Sequence, residues 1–171
     1  MRSIDKLIVG TFLVFFLIAL TIDYINAVAP MNKQIQDEDT SKWSWPPAFI
    51  LKLFYWWGHN VDPFLLTNES ITKVLAVLSP FVFAPFYLVG IYAICYKKQW
   101  IRMPMLLYAL VLFFDLGYFF YQAIFGLEKS NNLVLFTLGY GYYQVFPLIL
   151  IYRFWSKDVF ETKRLKRKKT N

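Results

Sequence analysis

Four long apolar stretches, near Leu7 to Ala29, Val74 to Tyr96, Ile101 to Phe125 and Leu133 to Trp155, dictate what this chain can fold into. Each has the length of roughly 20 residues that a helix needs to cross a hydrocarbon core of about 30 Å. Composition points the same way. With 58% hydrophobic, 21% aromatic and only 17% charged residues, 171 residues can neither coat a soluble domain nor stay disordered. The expected fold is an all-α integral membrane protein, a four-transmembrane-helix bundle over 7–155 preceded by a short cytoplasmic segment at 1–6 and followed by a basic tail at 156–171. The first stretch also has the form of a signal peptide. After it, however, Asp23-Tyr24-Ile25-Asn26 offers no small-residue cleavage site apart from Ala27-Val28-Ala29, so an uncleaved span is expected.

The net charge of +7 is placed where it argues against nucleic acid. Lys163, Arg164, Lys166, Arg167, Lys168 and Lys169 crowd the carboxyl end, which makes the excess a tail and not a groove. With the amino terminus in the cytoplasm, thirteen Lys and Arg fall on the cytoplasmic side and five on the other. Basic residues near span ends are retained in the cytoplasm, so both termini are expected there. Lys168 and Lys169 then stand third and fourth from a cytoplasmic carboxyl end, the form of a dilysine retrieval signal read by coat proteins in the endoplasmic reticulum. The alternative is a solvated tail that binds anionic lipid. Asn68-Glu69-Ser70 is a glycosylation sequon close to the second span. A single cysteine, Cys95, and a single histidine, His59, leave no disulfide and no expected metal or other cofactor.

About 44 residues separate the first two spans, enough to carry structure of their own. Trp43-Ser44-Trp45-Pro46-Pro47 opens an aromatic run that continues to Trp57 before Gly58. A proline-led helix of about ten residues is too short to cross and rich in the aromatics that settle at headgroup level. It is expected to be a short interfacial or re-entrant helix in the first lumenal loop, capping the bundle. Asp62, before Pro63, is either a turn residue or part of a site beneath that cap.

Carboxylates inside spans cost about 2.5–3.5 kcal/mol each on insertion scales and normally face the bundle interior. Asp23 and Asp115 are two of them. Helical rise brings Ser79 of the second span and Tyr140, Tyr143 and Gln144 of the fourth to a similar depth, the last three on one face by their spacing. Two readings stand. One is a polar pocket beneath an aromatic cap, helped by Pro80, Pro85, Pro104 and Pro147, which bend spans apart. The other is an interhelical hydrogen-bond network such as Asp23 with Tyr143.

Four motifs keep their order along nearly the whole chain. Asp23-Tyr24-Ile25-Asn26-Ala27-Val28-Ala29-Pro30 resembles the end of the first helix in the sigma-2 receptor (transmembrane protein 97) subfamily of the EXPERA family, and Val61-Asp62-Pro63-Phe64-Leu65-Leu66 resembles its Asp-Pro-Leu-Leu turn. Trp100-Ile101-Arg102-Met103-Pro104 with Tyr108 is similar to its third-helix entrance, and Tyr140-Gly141-Tyr142-Tyr143-Gln144-Val145-Phe146-Pro147 to its fourth helix. The resemblance implies an endoplasmic reticulum protein that binds sterol-like or cationic amphiphilic ligands in a lumenal-side intramembrane pocket and acts in sterol or lipid homeostasis. Asp23 would match the ligand-pairing carboxylate and Asp62 the second acidic residue. Ser79 stands where the animal receptor has a glutamate, and Asp115, without a carboxylate counterpart, would compensate. The implied partners are a sterol or other lipid ligand, membrane lipids, coat proteins at the tail and a second copy of the chain as a homodimer.

Catalysis is not expected. Shifting a sterol double bond needs an acid and a base, which the family's isomerase draws from histidine and glutamates within its spans. This chain has neither there. Fungal relatives described as efficient mitochondria targeting-associated protein imply an alternative role in handling mitochondrial or membrane precursors at the reticulum surface.

Overall fold

The computed structural model describes residues 1–28, 44–67 and 70–160, and every regular element among them is helical. Four helices are long and apolar enough to cross a membrane: α1 (Ser3–Val28), α3 (Lys73–Cys95), α4 (Gln99–Phe125) and α5 (Leu133–Phe154). Helix α2 (Ala48–Asn60) and a 3₁₀ turn (Pro63–Leu66) lie between α1 and α3. The fold class is the expected one, and hydrocarbon explains it, since a helix is the element that pairs its own backbone groups without water. Leu17, Phe81, Leu107, Phe114 and Leu138 stay exposed on the outside of the bundle, a surface suited to acyl chains and not to water. The dilysine-like Lys168 and Lys169, and Asn68 of the sequon, lie outside the described residues.

The first span begins at Ser3 and not at Leu7 because its polar start is buried and matched. Asp5 Oδ2 accepts the Arg2 N–H at 3.2 Å, and Oδ1 accepts Arg153 Nε at 2.6 Å from the far end of the chain. Both side chains are buried. That ion pair ties the start of α1 to the end of α5 at one end of the bundle. Arg153 also donates to the Val159 carbonyl at 2.9 Å and lies against the Phe154 and Phe160 rings. Arg102, opening α4, donates to the carbonyls of Phe154 and Trp155. We refer to this end as the clamp.

The opposite end is covered by α2. Leu51 and Phe54 pack with Ile25 of α1 and with Leu65 and Leu66 of the 3₁₀ turn, while Val61 packs with Ala123 and Phe136 of α4 and α5. The other face of α2 exposes Phe49, Leu53 and Trp56. A helix of 13 residues, apolar on both faces and aromatic on its outer one, suits the membrane interface. It runs through Gly58 to Asn60, further than the expected stop. The glycine serves close packing: a Cβ on it would fall 2.5 Å from Leu66 Cγ. Gly139 of α5 admits the Trp57 ring in the same way, at 2.7 Å. The Ser130 hydroxyl donates to the Val61 carbonyl at 2.7 Å and the Asn131 side chain to that of His59 at 2.8 Å, which fastens the α4–α5 loop to the cap.

Candidate functional site

Between clamp and cap, the polar residues of the spans are arranged at successive depths. Nearest the cap, the buried Asp62 accepts the Tyr140 hydroxyl at 2.9 Å. Burial pushes the Asp62 carboxyl up to about 6, against the opposing pull of the Tyr140 hydroxyl and the Leu65 and Phe64 amides. Its carbonyl accepts Leu65 N–H at 3.1 Å to start the 3₁₀ turn. Asp62 is therefore both a turn residue and a buried acid beneath the cap.

One step deeper, Ser79 Oγ donates to Asp23 Oδ2 at 2.5 Å across the α1–α3 interface. Both residues sit on wide π turns, Ala19–Asp23 and Ser79–Phe83. On α3 the cause is Pro80, which lacks the N–H that an α turn would bond. On α1 the Thr21 hydroxyl bonds back to the Leu17 carbonyl at 2.7 Å, a habit that bends helices. The two wide turns touch, so each helix turns its polar residue toward the other. Asp23 thus pairs with Ser79 and not with Tyr143, whose ring stacks on Phe15 at 4.3 Å and 2°.

Asp115 and Gln144 lie deeper still. Asp115 Oδ1 and Gln144 Oε1 are buried and find no hydrogen-bond donor among the described residues. Asp115, Tyr143, Tyr140 and Tyr87 all lie within electrostatic reach of Asp23, which makes one connected polar layer from residues of all four spans. An aromatic floor closes it toward the clamp. There Phe12 meets Phe86, Tyr87, Tyr108 and Phe146 at ring distances of 5.3–6.3 Å, and the Tyr108 hydroxyl donates to that of Tyr87 at 3.0 Å.

The structure thus pairs Asp23 with Ser79 and Asp62 with Tyr140, and leaves Asp115 and Gln144 with free acceptors. Of the four prolines expected to bend spans, Pro104 does not, because it falls in the first turn after Arg102, where no intrahelical partner is lost. Sequence reasoning missed the Asp5–Arg153 pair and the hydrogen bond at 2.5 Å between Thr11 and Tyr142. Neither carries a local signal, since both join residues more than a hundred positions apart. Among the described residues no three His, Cys, Asp or Glu side chains are grouped to hold a metal.

Fold and layer together define a multi-pass helical membrane protein with a capped, acidic interior. Residues 49–154 match the family model described as EBP, the EXPERA (EXPanded EBP superfamily) domain, and the chain belongs to that family. The match takes in nearly all of α2 and the whole of α3, α4 and α5, with every candidate ligand-binding residue except Asp23. No curated protein and no solved structure matches the chain.

Proposed function

We propose that this protein binds sterol-like or cationic amphiphilic ligands in the polar layer beneath α2. One observation carries the reading: two buried acceptors, Asp115 Oδ1 and Gln144 Oε1, lack a donor in a layer that also holds Asp23. An unmatched buried acceptor costs roughly 1–3 kcal/mol, more when charged, and a ligand hydroxyl or ammonium would supply the missing donor. Every Lys and Arg of the four spans lies within about four residues of a span end, so no cation of the chain's own is placed in the middle of a span. The resemblance to the sigma-2 receptor subfamily supports the same ligand classes.

The family contains sterol isomerases as well as proteins without catalytic activity. We place this chain among the latter, because its spans contain neither histidine nor glutamate for the proton transfers. We further propose the endoplasmic reticulum membrane as its location, with both termini cytoplasmic. The thirteen-to-five distribution of basic residues and the Lys168-Lys169 pair support that. Lipid homeostasis or trafficking is the corresponding role, with membrane lipids and coat proteins as partners.

The test is ligand binding to purified protein and its Asp23→Asn variant. Cationic amphiphiles should lose at least tenfold in affinity, the worth of about one charge-assisted hydrogen bond, while a neutral sterol should lose less. Unchanged amine affinity in the variant would refute Asp23 as the pairing carboxylate.

A further inference from the structure

The two unmatched acceptors lie on α4 and α5, and the packing of these helices sets their register. These helices pack along each other, with Phe119 meeting Tyr140 at 6.2 Å and Phe120 meeting Phe136 at 5.2 Å. Asp115 is one helical turn back from Phe119, and Gln144 is one turn on from Tyr140. Residues four apart share a helix face. Because α4 and α5 run in opposite directions, both steps lead away from the cap, and they bring Asp115 and Gln144 to the same level of the same seam.

That seam is distinct from the Asp23–Ser79 pair, which joins α1 to α3. Asp115 is ten residues from the end of α4 and Gln144 eleven from the start of α5, about 15 Å from the cap end by helical rise and so near the middle of a bilayer. One carboxylate oxygen of Asp23 already has the Ser79 hydroxyl. Asp115 Oδ1 and Gln144 Oε1 have no donor among the described residues.

We propose that the Asp115–Gln144 seam is the subsite of that layer for an ammonium group carrying at least two N–H bonds, the head of a long-chain primary amine. One N–H points at Asp115 Oδ1, where charge assists the bond, and a second at Gln144 Oε1. Two acceptors on two helices select by donor count, which charge alone does not. A quaternary ammonium has the same charge and no N–H, so it leaves both acceptors unmatched, and a tertiary ammonium satisfies one. The outer faces of α4 and α5 give the alkyl chain an apolar environment. The inference rests on the amine-binding reading above and adds which amines.

The test uses the full chain in nanodiscs and three probes that are all cationic at pH 7: dodecylamine, N,N-dimethyldodecylamine and dodecyltrimethylammonium, with empty nanodiscs subtracted. Affinity should fall in that order, on the order of tenfold between the first and the last. Asp115→Asn should weaken all three and flatten the series, and Gln144→Met should flatten it while preserving the binding of dodecyltrimethylammonium. Asp23→Asn should lower amine affinity yet keep the order. Equal affinity for all three probes in the wild type would overturn the subsite and leave the ligand-binding proposal standing, provided that binding still depends on Asp23. An order that survives both Asp115→Asn and Gln144→Met would overturn it too, as would an Asp115→Asn chain that fails to elute as the wild type does, which would make the carboxylate structural. No binding of any probe would remove both proposals.

Discussion

The clamp and the polar layer each hold an aspartate oxygen away from solvent, and they treat it in opposite ways. Asp5 has a partner for both oxygens, Arg2 N–H and the Arg153 guanidinium, and Arg153 is in turn held by Val159 and two aromatic rings. Asp115 has a buried oxygen with no donor among the described residues, and Gln144 of the neighbouring helix carries an amide oxygen in the same condition. A carboxylate that holds a fold together is surrounded by donors supplied by that fold, whereas one whose donors are missing is suited to a molecule that brings them. The contrast turns a list of intramembrane acids into a division of labour.

Breaking the clamp should have the largest effect. Arg153→Ala leaves a buried Asp5 uncompensated and should cost about 3–5 kcal/mol, seen as a large drop in melting temperature in detergent. The double variant Asp5→Ala with Arg153→Met should recover much of that loss, because removing both charges removes the unpaired one. If the single variant melts like the wild type, the clamp is not what joins the ends of α1 and α5.

The cap comes next and is sensitive to pH. With the folded carboxyl of Asp62 raised to about 6 from 3.8, the folded state holds the proton more tightly than the unfolded state. The stabilisation from Asp62 is therefore fully present below about pH 4 and is lost as pH rises through 6, by up to about 3 kcal/mol. Subtracting the stability profile of Asp62→Asn from that of the wild type isolates this contribution. A difference that is flat between pH 4 and 7 would place Asp62 in contact with water. Packing of the cap is tested by Gly58→Ala, whose new methyl must displace Leu66, at a cost of about 1–3 kcal/mol.

Much of this was legible in the sequence, and what was not has physical reasons. Apolar length alone located the four spans, because a bilayer sets a length that few soluble helices imitate. The start of α1 was misplaced by four residues since Asp5 and Lys6 resemble a span boundary, and the arginine that makes Asp5 tolerable lies 148 residues away. The aromatic run announced α2, but Gly58 was taken for its end, when the glycine is there to admit Leu66. Helical rise put Asp23, Ser79 and Tyr143 in one layer. It did not reveal that Asp23 bonds Ser79, because that depends on two wide turns, and only the one at Pro80 has a sequence cause that stands out. The shared level of Asp115 and Gln144 follows from the α4–α5 register, which no local pattern contains.

The smallest expected change in stability is also the most direct test of the central claim, that the polar layer is built for a ligand and the clamp for the fold. Asp115→Asn should leave the ligand-free protein as stable as the wild type or up to about 1 kcal/mol more so, since it removes the charge from an unmatched buried oxygen and its repulsion from Asp23. The measurement is the melting temperature of both proteins in nanodiscs, with and without dodecylamine. The account predicts equal or higher stability of the variant without amine, and stabilisation by amine in the wild type that shrinks in the variant. A variant that melts well below the wild type without amine, yet gains as much from it, would contradict the account and make Asp115 a second clamp.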